Sequence, residues 1–167
     1  IININEKESR PLKSAAKVPL LITFTVYNAI QSKKREKMNF ACIFKTRDDV
    51  RMDAMMIQII DKFKRIFVDA GIDCYLLPYR VFSTGEERGV IECITNAKSR
   101  HEIGEMNKED LLTYFIHKYG QVGTEAFNKA QENFIKSMAP YSLICYLFQI
   151  KDRHNANIMI DEDGHVL

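Results

Sequence analysis

One stretch near the end of the chain constrains the fold more than any other, because it changes from apolar to polar and back. Residues 141–150 are apolar almost all round, as in a buried helix. The polar residues 151–157 follow, and then a short strand-like run over 157–160 leads to a turn at Asp163-Gly164. This order predicts a buried helix, a polar loop and a β-hairpin. A polar loop held by a rigid helix is a common setting for catalytic side chains.

The polar loop combines three kinds of side chain that phosphoryl transfer uses. Asp152 and Asn157 are five residues apart, which is also the spacing of base and metal ligand in the catalytic loop of protein kinases. A carboxylate can take a proton from an attacking hydroxyl, and a side-chain amide oxygen can bind magnesium. His154 adds a group that titrates near neutral pH. The loop is therefore a candidate catalytic site.

The bulk composition narrows the class of protein only slightly. The chain has 167 residues, of which 46% are hydrophobic, and this is enough for a real core. Its net charge of +2 neither favours nor excludes nucleic acid or membrane partners. The four cysteines are widely spaced without a CxxC pair, which favours free thiols in a reducing compartment. There is no apolar, uncharged run of about 18 residues, so we expect no transmembrane helix.

The first half of the chain is expected to alternate between strands and one long helix. Residues 1–10 are polar and are predicted to be irregular. Apolar runs at 20–26 and 40–45 predict strands, and a lysine, Lys45, ends the second run. Such a lysine usually lies at the surface, but in a kinase it pairs with ATP phosphates. A helical apolar stripe comes next, and Gly71 is expected to end that helix. The stripe contains Met55, Met56, Ile59, Ile60, Phe63 and Phe67.

A second group of strands is predicted after that helix. Residues 74–82 resemble a strand that Pro78 interrupts, and residues 90–94 form the next apolar run. A glycine-containing turn over 84–89 joins them as a hairpin. Residues 95–107 are polar and are interpreted as a connector.

Two further helices are predicted from their end signals. Residues 107–110 contain capping side chains and start a helix over 111–119, which Gly120 ends. Thr124 starts a longer helix. Pro140 is expected to break or kink it.

Several blocks of the sequence, taken together and in this order, resemble the phosphoinositide 3-/4-kinase superfamily. They are Ser14-Ala15-Ala16-Lys17, Ile43-Phe44-Lys45, Pro78-Tyr79-Arg80, residues 89–94 and residues 149–159. The last block contains Asp-Arg-His, the reverse of the protein-kinase order. The phosphate-loop and hinge blocks are similar to the type III alpha branch of phosphatidylinositol 4-kinases rather than to the beta branch or the 3-kinases. Three positions depart from the family pattern, where Arg47 and Ala156 replace glycines and Met52 replaces a glutamine.

The resemblance implies an α+β, bilobal, protein-kinase-like fold. Residues 1–94 would form an N-lobe, with an antiparallel sheet, one long helix, the phosphate loop and the hinge. Residues 95–167 would form the first, helical part of the C-lobe with the catalytic loop. The family continues with an Asp-Phe-Gly segment and an activation loop, which these residues do not contain. We therefore expect a truncated catalytic domain that is inactive by itself.

The resemblance also implies the roles of individual residues. Lys45 would hold phosphate charge, and Asp152 would accept or orient the hydroxyl proton, with His154 as a rival or helper. Asn157 would bind one magnesium ion. Glu92 and Ile94 would grip adenine through their backbone. The residues expected to contact ATP are Ser14, Ala15, Lys17, Lys45, Asp53, Tyr79, Ile91, Glu92, Ile94 and Met159. ATP would lie between the lobes, and Asp53 and Tyr79 would form a hydrogen-bonded pair.

The implied activity is transfer of the γ-phosphoryl group of Mg-ATP to the 4-hydroxyl of phosphatidylinositol. Such an enzyme would be cytoplasmic and would contact membranes peripherally at their cytoplasmic face. The plasma membrane is the membrane expected before any other. The enzyme would have regulatory protein partners and no nucleic-acid partner. The alternatives are a 3-kinase or related superfamily kinase, a degenerate nucleotide-binding remnant, and a generic α+β binding domain. The presence of Lys45, Asp152, His154 and Asn157 argues against a remnant.

Overall fold

The structure, a computed structural model, describes residues 1–12, 17–28, 36–107 and 110–167. An antiparallel sheet and helices account for most of these residues, which confirms the expected α+β class. None of the helices in these ranges is long and apolar enough to cross a membrane. The four cysteines are free, as the sequence predicted.

The chain divides into two compact units, and each unit contains two separate stretches of sequence. The first unit consists of Ile1–Ile59 and Pro78–Thr95. The second consists of Ile60–Leu77 and Asn96–Leu167.

The first unit is built on a five-stranded antiparallel sheet with the order β1-β2-β3-β5-β4. Its strands are β1 (Asn3–Pro11), β2 (Leu20–Asn28), β3 (Glu36–Thr46), β4 (Val81–Gly85) and β5 (Arg88–Glu92). Lys45 pairs with Gly89, and Ile43 pairs with Ile91, so Lys45 shares one sheet face with Ile91, which was expected to lie in the hinge. The register therefore fixes where the lysine lies relative to β5.

The structure corrects two strand predictions. Residues 1–10 are not irregular, since β1 pairs with β2 from Asn3 opposite Thr25 to Pro11 opposite Leu20. A polar edge strand depends on its partner's backbone, and composition gives little sign of it. The strand predicted over 74–82 is also wrong, because regular pairing begins only at Val81.

Gly89 lets the loop that follows β3 approach β5 closely. A Cβ atom built on Gly89 would lie 2.1 Å from Val50 Cγ2 and 2.7 Å from the Phe82 carbonyl oxygen. Val50 is completely buried, so it has no room to move away. Close packing of backbone against a buried valine therefore requires glycine here.

We expect Gly89→Ala to destabilise the first unit by about 2 to 3 kcal/mol, because overpacking must displace Val50 or the strand. Hydrogen exchange of the β3 and β5 amides in the complete protein measures this loss. Gly85→Ala in the same hairpin is the matched control, since its new methyl group would meet only the flexible Arg88 side chain, at 3.3 Å. Equal exchange in the two variants would contradict the packing argument.

Helix α1 (Arg51–Asp69) begins and ends where local chemistry specifies. The Asp49 carboxylate accepts the Arg51 N–H at 3.0 Å before the first turn. At the other end Gly71 has a φ of 68°, and its N–H donates to the Val68 carbonyl at 3.0 Å. The Ile72 N–H donates to the Phe67 carbonyl at 2.8 Å, which completes a Schellman motif. The helix end predicted at Gly71 is confirmed.

Besides the second half of α1, the second unit contains three helices and a small two-stranded sheet. Its elements are β6 (Ala97–Ser99), α2 (Arg100–Asn107), α3 (Leu111–Tyr119), α4 (Glu125–Leu147) and β7 (Met159–Asp161), with β6 antiparallel to β7. The connector predicted over 95–107 is thus wrong, because it holds a strand and a helix. Ser99 and Glu102 form a capping box there, with Glu102 N–H donating to Ser99 Oγ at 3.1 Å and Ser99 N–H to the Glu102 carboxylate at 2.8 Å.

The ends of the other two helices are as the sequence predicted. The Asp110 side chain accepts the Thr113 N–H at 2.8 Å and caps α3, which ends at Gly120 with a φ of 100°. Thr124 caps α4 through its side-chain oxygen. The core between these helices includes Phe115 and Phe127.

Helix α4 continues through Pro140, and its last turns differ from the prediction. Pro140 does not break it, and the Lys136 carbonyl that Pro140 leaves without a helical partner accepts the Tyr75 N–H at 2.8 Å instead. Its last turns are also not buried all round. Ile144 is buried, but four apolar neighbours are exposed to solvent. These are Leu143, Tyr146, Leu147 and Phe148.

Candidate functional site

The structure brings the two key residues of the polar loop together within the second unit. Asn157 Nδ2 donates to the Asp152 carbonyl oxygen at 2.8 Å and lies 3.5 Å from its carboxylate Oδ2. Asp152 has a φ of 61°, in the left-handed region that most residues avoid and that aspartate tolerates better than most. The hydrogen bond from Asn157 offsets this strain, because it holds the Asp152 backbone carbonyl in place. Strained backbone that the surroundings hold in place is typical of functional sites.

Further contacts hold both ends of this loop. Arg153 Nε donates to the Lys151 carbonyl at 3.1 Å, and its Nη1 lies 3.5 Å from the Asn157 carbonyl. The first N–H groups of α2 also reach the loop. Arg100 N–H donates to the Ile158 carbonyl at 2.8 Å, and His101 N–H donates to the Asn155 carbonyl at 2.9 Å. The N-terminus of α2 therefore anchors the loop through its free N–H groups. The sequence analysis had interpreted this segment as a connector.

His154 is held with a defined proton arrangement. The Ala156 N–H lies 3.1 Å from His154 Nδ1, and a backbone N–H can only donate, so Nδ1 must accept. The neutral ring then carries its proton on Nε2. Nε2 lies 3.7 Å from Asp152 Oδ1 and 3.2 Å from Asn157 Nδ2, a donor already bonded to the Asp152 carbonyl. Nε2 is therefore within ion-pair distance of the Asp152 carboxylate but beyond hydrogen-bond distance.

The hairpin after the loop is organised by Asp161, whose role the sequence did not reveal. Asp161 Oδ1 accepts the Asp163 N–H at 2.9 Å and the His165 N–H at 2.8 Å, and Oδ2 lies 3.0 Å from His165 Nδ1. The Asp161 carboxylate is buried, so these bonds replace its water. An aspartate just before the Asp-Gly turn was the available signal, since such side chains bond the backbone two residues on.

The same hairpin is docked on α4. The Val166 N–H donates to Ser137 Oγ at 2.8 Å, and Asn133 Nδ2 donates to the Asp163 carbonyl at 2.9 Å. A Cβ atom on Gly164 would lie 2.9 Å from the Ala130 carbonyl oxygen, so the turn touches the helix backbone. Met159, at the start of β7, takes its position from this docked hairpin.

In the first unit, two lysines that the sequence singled out meet at one carboxylate. Lys45 Nζ lies 3.2 Å from Asp48 Oδ2, and Lys17 Nζ lies 3.6 Å from Asp48 Oδ1. Arg47, which stands where the resembled family has glycine, has a φ of 58°. The loop thus keeps the backbone shape that favours glycine, at a strain of about 1 to 2 kcal/mol. Ser14 and Ala15 lie outside the described residues.

Strand β5, which was expected to form the hinge, ends in a polar contact. Glu92 N–H donates to the Arg80 carbonyl at 2.8 Å, and the Glu92 carboxylate lies 3.0 Å from Arg80 Nε. The hydrogen bond from the Arg80 guanidinium lowers the pKa of Glu92 below its usual value. The next residue is also tied to the sheet, since Cys93 N–H donates to the Ala41 carbonyl at 2.9 Å. Side-chain and backbone contacts together fix the strand from which Ile94 follows.

The remaining predicted ATP contacts lie in the first unit as well. Asp53 is exposed in the first turn of α1, and Tyr79 and Ile94 are half-buried. Each unit therefore presents its own chemistry. The first offers two ammonium groups near an exposed strand end, which suits an anion such as phosphate. The second offers a carboxylate, an imidazole and an amide in one loop, which suits proton transfer and binding of a hard cation.

Comparison with known proteins identifies the relatives of this chain. The family model for phosphatidylinositol 3- and 4-kinase matches residues 39–167. The phosphatidylinositol 4-kinase STT4 of Saccharomyces cerevisiae is 42% identical over 173 aligned residues, which cover 100% of this chain and 9% of the yeast protein. The Arabidopsis thaliana phosphatidylinositol 4-kinase alpha 1 is 44% identical over 157 residues, covering 94% of this chain and 8% of the relative.

A beta-type relative is less similar. The phosphatidylinositol 4-kinase beta of Sorex araneus is 38% identical over 125 residues, covering 75% of this chain and 16% of its own length. The chain therefore spans only about a tenth of the length of the yeast and Arabidopsis relatives.

Proposed function

Because the chain belongs to the phosphatidylinositol 3- and 4-kinase family, we propose that it carries the ATP-binding and catalytic residues of a lipid kinase. The reaction is transfer of the γ-phosphoryl group of ATP to the 4-hydroxyl of phosphatidylinositol. The observation that carries the proposal is the Asp152–Asn157 contact in one strained, anchored loop, with His154 beside it. The choice of 4-hydroxyl rests on the relatives, which are named as phosphatidylinositol 4-kinases of alpha and beta type.

In this proposal the first unit binds ATP. Lys45 and Lys17 contact its phosphates, because two ammonium groups that meet at one carboxylate can also bind phosphate oxygens. Backbone groups of Glu92 and Ile94 hold the adenine ring, and Ile91 packs beside it on the same sheet face as Lys45. Further contacts to ATP come from four other residues. They are Ser14, Ala15, Asp53 and Tyr79.

The second unit supplies the proton acceptor, and the choice falls on Asp152. The lone pair of His154 Nδ1 is taken up by the Ala156 N–H, and the neutral ring's Nε2 already carries a proton. His154 is therefore a poor base in this arrangement. The Asp152 carboxylate has free acceptor capacity and can take the proton of the attacking hydroxyl. His154, whose Nε2 lies 3.7 Å from that carboxylate, helps to orient it. Met159 completes the ATP contacts from this unit.

Magnesium fits the donor atoms of the loop. Asn157 Nδ2 donates to the Asp152 carbonyl, which leaves the amide Oδ1 as an acceptor in the loop that also carries the Asp152 carboxylate. Neutral and anionic oxygen ligands are what magnesium prefers. When bound, the ion would neutralise phosphate charge, and Asn157 would be one of its ligands.

The substrate determines where the complete protein works. Phosphatidylinositol is a membrane lipid, so the enzyme contacts membranes peripherally, and we propose the cytoplasmic face of the plasma membrane and regulatory protein partners. Nothing in the charge of the chain, which is +2 overall, points to nucleic acid.

The test is to incubate the complete protein with phosphatidylinositol vesicles, ATP and Mg²⁺ and to identify the product. We expect phosphatidylinositol 4-phosphate and stoichiometric ADP. The 3-phosphate isomer would support the 3-kinase alternative instead. Binding of ATP without any lipid product would favour the nucleotide-binding remnant and overturn the proposal.

A further inference from the structure

Asp48 stands between the two lysines proposed to bind phosphate, although no role was expected for it. Its Oδ2 lies 3.2 Å from Lys45 Nζ and its Oδ1 lies 3.6 Å from Lys17 Nζ. Each carboxylate oxygen therefore faces one ammonium group. Two like charges directed at one small region repel each other, and the anion between them offsets that repulsion.

The position of Asp48 is fixed by its backbone. Its N–H donates to the Glu87 carbonyl at 3.0 Å, which ties the loop after β3 to the β4–β5 turn. Arg47, with its φ of 58°, reverses the chain just before it, and the buried Val50 packs just after it. The carboxylate is thus carried by an anchored loop, while both lysines are long and flexible.

The neighbouring Asp49 provides a contrast. Its carboxylate accepts two bonds from Arg51 Nε, at 2.9 and 3.0 Å, and one from Nη2 at 2.7 Å. This local hydrogen bonding lowers the pKa of Asp49. The Asp49 carboxylate therefore pairs with Arg51, whereas the Asp48 carboxylate pairs with the two lysines.

We propose that Asp48 is a built-in counter-ion, which holds Lys17 and Lys45 together before nucleotide binds and which the phosphates of ATP must displace. The inference rests on the proposed function, because it assumes that these lysines bind ATP phosphates. Asp48 is 37% exposed and Lys45 26%, so a phosphate can reach the pair from solvent. Once phosphate takes its place, the Asp48 carboxylate and the phosphate repel each other.

This repulsion predicts a specific role in nucleotide affinity. The repulsion weakens the binding of ATP and of ADP alike, since both carry phosphates next to the lysines. It therefore favours release of ADP after transfer. It leaves adenosine unaffected, because adenosine has no phosphate. Asp48 acts through Lys17 and Lys45 and is a positioning residue, without contact to the reacting atoms.

The experiment measures binding of ATP, ADP and adenosine to the complete protein by isothermal titration calorimetry. We expect Asp48→Asn to tighten ATP and ADP binding roughly three- to tenfold, as removal of one partly exposed like charge allows. Adenosine affinity should stay the same. Asp49→Asn is the matched control, since it removes the same charge one residue away, and it should change ATP affinity less than twofold by the same reasoning.

Two outcomes would overturn the inference. Weaker ATP binding in Asp48→Asn would mean that Asp48 mainly shapes the site, and equal effects on adenosine would mean that the loop itself has changed. The Asp48→Asn effect should also vanish in a Lys45→Met background, because the carboxylate acts through that lysine. Failure of the proposed function would be distinguishable, since the unmodified protein would then form no phosphatidylinositol phosphate at all.

Discussion

Asp152→Asn is expected to lower kcat for phosphatidylinositol by about a thousandfold, because the substrate hydroxyl loses its proton acceptor. Asparagine matches aspartate in shape and also tolerates the left-handed φ of 61° found here. The Asp152 carbonyl that accepts from Asn157 belongs to the backbone and is kept. The loss should therefore fall on the chemical step, with ATP affinity unchanged. The measurement is steady-state turnover together with ATP binding by calorimetry.

Two further variants make this result specific. Glu162→Gln removes another exposed carboxylate of the second unit, and it keeps the Glu162 backbone carbonyl that accepts the Tyr119 hydroxyl. It should keep kcat. His154→Gln should cost much less than Asp152→Asn, because the ring orients the carboxylate without accepting the proton. A larger loss in His154→Gln than in Asp152→Asn would reverse the assignment of the base.

Elements whose ends depend on nearby residues were the ones that the sequence predicted well. Helices α3 and α4 begin at Asp110 and Thr124, and α1 ends at Gly71, because each cap bonds backbone only a few residues away. The capping box at Ser99 was equally local and was overlooked in a polar segment.

Elements that depend on distant partners were predicted poorly. Strand β1 exists because β2 offers it a backbone ladder, and nothing in its polar sequence encodes that partner. The effect of Pro140 also depended on a distant group. Its helix continues because the Lys136 carbonyl has an alternative donor in Tyr75, sixty-one positions earlier in the chain.

The same distinction applies to the candidate site. The residue types of the polar loop and their spacing indicated the chemistry, and the structure brings Asp152, His154 and Asn157 together as the motif suggested. The tautomer of His154 and the left-handed turn at Asp152 depend on backbone geometry that a motif does not contain. Asp48 was missed for a similar reason. Its contact to Lys17 joins the loop that follows β3 to a residue that precedes β2, and these lie far apart in the sequence.

Lys45→Met is expected to lower kcat by about a hundred- to a thousandfold, because the ammonium group stabilises charge that develops on the phosphates during transfer. The lysine is held at the end of β3 on the face that it shares with Ile91. Methionine keeps the length and packing of the stem and removes only the charge. Its pair with Asp48 is partly exposed, so the stability lost should be at most about 1 kcal/mol.

Two kinetic comparisons distinguish stabilisation of the transition state by Lys45 from a general effect of positive charge. Lys37→Met removes a lysine from the same strand and sheet face, eight residues away, and should leave kcat unchanged. Lys45→Met should lower kcat far more than it raises KM for ATP, because Lys17 still attracts the phosphates in the ground state. A change confined to KM for ATP would mean that Lys45 contributes only to ATP binding. In that case the loop carrying Asp152 would supply most of the catalysis, and the first unit would serve as a binding module for ATP.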